Sequence, residues 1–111
     1  SIVLPANSSL TLTFSYYLAH ASNSSSADFL RVKVVGSSTT TVLQVLGTNK
    51  DKDAYWFSAN IDLSAFAGQT VYILIEAADN SGASLVEAAV DDVKIIATPM
   101  FIAGGTTTNS K

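Results

Sequence analysis

No cysteine occurs among the 111 residues, which excludes a disulfide scaffold and a thiolate zinc site. That absence does not decide the compartment, and a single domain of this length buries a core without staples. Charge is also scarce, at 14% of residues, with a net charge of −3 and a pI near 4.7. The basic side chains of Arg31, Lys33, Lys50, Lys52, Lys94 and Lys111 are scattered and form no stripe. Nucleic acid is held mainly through basic patches, so that class of partner is excluded. No apolar run approaches the roughly 18–20 residues of a membrane span. No basic segment precedes Ser1, so no signal peptide heads the sequence, which reads as a piece of a longer protein.

Hydrophobic residues make up 48% of the chain, the opposite of the balance that keeps a chain disordered. Serine, threonine, asparagine and alanine are abundant, a composition associated with secreted or cell-surface proteins. Alternation is the main signal. Over residues 10–18, Leu10, Leu12, Phe14, Tyr16 and Leu18 point one way and Thr11, Thr13, Ser15 and Tyr17 the other. That is a half-buried strand. Further strands are predicted over 29–35, 41–46, 55–61, 71–77 and 85–96. A serine-rich loop at 20–27, a charged loop at 47–53 and a DNSG turn at 79–82 separate them. Residues 62–68 read as one helical turn, capped by Asp62 or Ser64 and ended by Gly68. Short strands at this spacing predict an all-β, antiparallel β-sandwich over residues 1–98. Residues 99–111 form a C-terminal extension or linker. Six strands are few for two sheets, and a strand preceding Ser1 would complete them.

Within the last strand, Val90-Asp91-Asp92-Val93 breaks the pattern. Val90 and Val93 are three apart, so a period of two cannot bury both. The backbone must bulge at the aspartates. A carboxylate displaced there can collect freed N–H groups or a cation, and Asp91 is expected to be the more buried of the pair.

The segments LTLTFSYYLAH, ADFLRVKV, WFSANIDLSAFAGQTVYILIEA and VEAAVDDVKI follow one another in order. Their succession resembles bacterial jelly-roll accessory domains attached to exported peptidases, which are similar in appearance to MAM domains and to jelly-roll carbohydrate-binding modules. The resemblance covers roughly residues 4–96. DLSAFAGQTV and VDDVKI carry it most specifically. It implies a jelly-roll fold and a non-catalytic accessory role, with a calcium ion often near the strand bearing the paired aspartates.

Calcium takes six to eight oxygens. The candidate ligands are Asp28, Asp91 and Asp92, with Glu87 and carbonyls of the serine loop as further donors. The competing reading makes Asp91 an acceptor of backbone N–H groups at the bulge and leaves Asp92 in solvent. Asp51 and Asp53 alternate in NKDKDAY but lack the glycine and closing glutamate of an EF-hand, which favours a solvated loop. For sugar binding, the candidates are Trp56, Tyr55 and Asn60. In the register set by YWFSANI, Trp56 lies opposite Tyr55 and Phe57, beside Ser58 and Asn60. Inverting the register would send Trp56 to the core. His20 has no G-x-S-x-G nucleophile to serve and reads as an exposed strand-end residue. Glu76 and Glu87 show no cleft between them for glycosidase chemistry. The sequons at Asn7 and Asn23 are of the kind serine-rich sequences produce by chance. The partner expected is an adjacent domain of the parent protein or an extracellular polysaccharide.

Overall fold

A computed structural model describes residues 1–80 and 85–100. Among them seven strands form: β1 (Ile2–Val3), β2 (Ser8–His20), β3 (Phe29–Val35), β4 (Thr39–Leu46), β5 (Phe57–Asp62), β6 (Thr70–Ala78) and β7 (Val86–Pro99). They make two antiparallel sheets, of order β1-β6-β3-β4 and β5-β2-β7. Apart from the β3–β4 hairpin, every connection crosses from one sheet to the other. The predicted sandwich is therefore the fold. The turn at 79–82 falls partly, and the tail at 104–111 wholly, outside the described residues.

The alternation does the work foreseen for it. Leu10, Leu12, Phe14 and Leu18 of β2 are buried, as are Leu30, Val32 and Val34 of β3 in the facing sheet. Leu4, Leu63 and Val71 form one cluster with Leu10, Leu12, Phe14, Val32 and Val34. Each such side chain contributes about 1.5–3 kcal/mol by leaving water. The polar partners alternate outward, and Lys33 pairs with Glu76 at 2.8 Å on the outer face of the four-stranded sheet.

The expected bulge is present. Thr13 faces Lys94 and Ser15 faces Asp91, so Phe14 opposes two residues of β7. Asp92 takes up the strain with φ 56, a region aspartate tolerates better than most residues. Val90 and Ile95, on either side of the irregularity, both pack against the core. Asp91 and Asp92 are both exposed, so neither carboxylate is a buried anchor. The bulge needs no burial to satisfy its backbone. Asp91 Oδ1 accepts the Asp92 N–H at 2.7 Å, locally and in contact with solvent.

Strand β1 was not anticipated, since two residues carry no periodicity. Between β5 and β6 the predicted helical turn is a 3-10 turn over Ser64–Phe66. Asp62 Oδ1 accepts the Ser64 N–H at 2.9 Å. The Ser64 hydroxyl, then its amide, hold the Asp62 carboxyl below its ordinary range. Gly68, at φ 80, ends the segment in a conformation that disfavours a side chain.

Candidate functional site

The outer face of the three-stranded sheet carries the most chemistry. Cross-strand pairing sets Thr13 beside Asn60 and Ser15 beside Ser58. These hydroxyls and amide, with Asp92 of the bulge, line a depression of about 270 Å³. One row further along, Tyr17 meets Trp56 edge to face, with ring centroids 4.8 Å apart. Trp56 directly precedes β5 and is 50% exposed. The Tyr17 hydroxyl donates to Glu87 Oε2 of β7, which fixes the ring that seats the indole. That hydrogen bond, with some burial and the nearby negative charge, raises the phenol above its ordinary range. Beyond the ring pair lies a second depression of about 410 Å³, lined by Ala19, Asp51, Asp53, Ala54, Glu87 and others.

The register read from YWFSANI holds. Phe57 lies opposite Tyr16 on the inward face and stacks on it, with centroids 5.8 Å apart. Tyr55 meets Phe57 at 5.1 Å and so stands on the Phe57 side, though it is 67% exposed. Of the three predicted sugar contacts, the structure therefore places Trp56 and Asn60 on one face and Tyr55 with the other. YWFSANI itself put Ser58 beside Trp56 and Asn60, but Tyr17 and Ser15 were not singled out, because their proximity to that pair depends on a cross-strand register no single segment reveals. The alternation over residues 10–18 had put Tyr17 on the polar face, without a partner for it.

Asp28 builds a different kind of site. Its side chain is fully buried at the start of β3. Oδ2 accepts the Ser24 hydroxyl at 2.6 Å and the Ser25 N–H at 3.1 Å, and Oδ1 accepts the Asn80 N–H at 2.7 Å. The Asp28 carbonyl accepts the Gly47 N–H at 2.8 Å. One residue thus ties the serine loop, the start of the β4–β5 loop and the end of β6 together. Buried carboxylates persist where donors satisfy them, which is the situation here.

Asp28, Asp91 and Asp92 are not brought together. Among the described residues no group of three or more histidine or acidic side chains is arranged to hold a metal ion. The three partners of the Asp28 carboxylate named above are all hydrogen donors. Asp92 makes an exposed ion pair with Lys94 at 3.4 Å, of a kind that contributes little to stability.

His20 is buried and not an exposed strand-end residue. It is 6% exposed, covered by residues 51–54, whose Lys52 exchanges two backbone hydrogen bonds with it. Nδ1 lies 3.1 Å from the Ala21 carbonyl, which can only accept, so Nδ1 carries the hydrogen. Nε2 is buried and has no partner among the described residues. Among the described residues no serine hydrogen-bonds to the ring, so the base–nucleophile pair of a triad is not assembled by them.

A family comparison matches residues 1–99 to the MAM domain, meprin/A5/mu. The chain belongs to the MAM domain family. No curated protein matches the chain, and no solved structure does. MAM domains are adhesion-type, generally non-catalytic domains that mediate interactions within multidomain proteins, and an accessory role fits this chain. They occur in extracellular or membrane-associated proteins. No helix among the described residues is long and apolar enough to cross a membrane.

Proposed function

We propose that this MAM domain is a non-catalytic accessory module of an exported multidomain protein, secreted or at the cell surface, that docks on a neighbouring domain. One observation carries the reading. Ile75 lies on the core side of β6, opposite Val32 and in phase with Val71 and Ile73, yet it is 44% exposed. Among the described residues, β6 is paired on its far side only at Thr70 and Val71, by β1. From Tyr72 onward no described residue pairs with that edge, and Glu76 is the single charge on it. An open edge beside an uncovered isoleucine is a surface suited to another segment.

Ile75→Asp tests it. In the isolated domain the change should cost little, within about 1 kcal/mol, because much of the side chain is already in water. In the parent protein it should release the domain from its neighbour, seen as faster amide exchange over residues 72–78. Equal exchange in the parent with and without the substitution would rule out this docking face.

Glycan binding is a second reading. It is favoured by the half-exposed indole of Trp56, seated on Tyr17 beside a polar depression.

A further inference from the structure

Three parts of the molecule lie outside the docking reading: the buried His20, the Asp28 knot, and the outer face of the three-stranded sheet. His20 Nε2 is sealed from solvent, and the Asp28 carboxylate is taken up by its own loops. The outer face remains open. Its two depressions and its ring pair lie in line. Thr13 and Ser15 precede Tyr17 along β2, and Ala19 follows it. Antiparallel to them run Asn60 and Ser58, then Trp56, then Ala54. From Asn60 to Trp56 the strand rise gives about 13 Å.

We propose that this face binds an extended neutral polysaccharide laid along the strands, one pyranose ring stacked on Trp56 and its neighbours in the depressions on either side. The proposal rests on the glycan reading above and adds the ligand class and the length of the site. A flat aromatic face complements the C–H face of a pyranose, while hydroxyl, amide and carboxylate groups complement its hydroxyls. Two depressions flanking one ring suit a polymer and leave a monosaccharide with half its contacts. The charge on the face selects further. Asp92 borders one depression, and Asp51, Asp53 and Glu87 border the other. Lys94 is paired with Asp92, and Lys52 stands among three carboxylates. A uronate or sulfated chain would meet like charge, which costs affinity, whereas a neutral chain would not. Tyr17 and Glu87 are positioning residues here, since they hold the indole and need not touch the sugar.

The experiment uses retention on insoluble cellulose, xylan, mannan and chitin, with polygalacturonate as the acidic control. Calorimetry with the matching neutral oligosaccharides, dimer to hexamer, follows for any polysaccharide retained. At least one neutral polysaccharide should be retained and polygalacturonate should not. Affinity should rise with oligosaccharide length. Trp56→Ala should weaken binding by about tenfold or more, Trp56→Phe by less, and Asn60→Ala by about threefold. Melting curves of the three variants separate lost binding from lost folding, and Trp56→Phe keeps the test usable if Trp56→Ala unfolds. If no polysaccharide is retained, glycan binding itself is wrong. If binding depends on Trp56 but not on Asn60 or on length, glycan binding stands and the extended site is overturned. Retention on polygalacturonate would overturn the neutral class.

Discussion

Replacing Asp28 by alanine removes the acceptor for the Ser24 hydroxyl, the Ser25 N–H and the Asn80 N–H at once. The side chain is fully buried, so water cannot simply take its place. Hydrogen bonds to a charged group contribute roughly 1.5–3 kcal/mol each, and a buried donor left unpaired costs about 1–3 kcal/mol. The three share one carboxylate and do not add in full. A loss of about 4 kcal/mol is the expected sum. In a domain of this size that corresponds to about 15–20 °C in Tm. Asp28→Asn keeps the volume and one acceptor oxygen, and should lose about half as much. Urea denaturation followed by the single tryptophan measures both. Asp91→Ala is the control: its carboxylate is exposed and serves one local N–H, so it should stay within about 0.5 kcal/mol. An Asp28→Ala protein within about 1 kcal/mol of the wild type would show that the knot at the head of β3 is not what holds those loops.

Further perturbations probe the same structure. A Cβ at Gly47 would sit 2.5 Å from the Ser25 carbonyl oxygen and 2.7 Å from Ser24 Oγ. Gly47→Ala should therefore destabilise by about 1–3 kcal/mol in the same urea experiment. The Asp62 carboxyl is depressed in the folded state, so its stabilisation is present above the ordinary carboxylate range. It fades as the pH falls through the folded value, and Asp62→Asn should flatten the acid limb of a plot of Tm against pH. Calcium chelation addresses the expected ion directly. Because three donors already satisfy the Asp28 carboxylate, EGTA should leave Tm unchanged, whereas a drop that Asp28→Asn abolishes would put a cation there.

Much of the architecture was legible because burial follows a period of two. Leu10 to Leu18 and Leu30 to Val34 declare their inward faces, and the three-residue spacing of Val90 and Val93 declares the bulge. Trp56 was assigned its face by the same counting along YWFSANI. What lay beyond reach depends on residues distant in the chain. Asn80 closes on Asp28 across 52 positions, and Tyr17 meets Trp56 only once β2 and β5 are in register. Lys52 covers His20 through backbone bonds that leave no mark in side-chain pattern. Asp91 failed as a buried anchor for a local reason: the freed N–H next to it could be satisfied in the open. Strand β1 is too short for any periodicity to show.

Ser8 stands opposite Pro99, and the Met100 N–H bonds to the Asn7 carbonyl. The polypeptide therefore enters and leaves the β2–β7 ladder side by side, at one end of the molecule. Traction applied through the two ends would not slide these strands past one another. It would open them like a zipper, loading one pair of rungs at a time, after β1 had peeled from β6. Gripped at those two ends, the domain should yield at low force and lengthen. Pulling single molecules from the two ends should show this as unfolding at forces well below those needed when β2 and β7 are gripped at opposite ends and sheared.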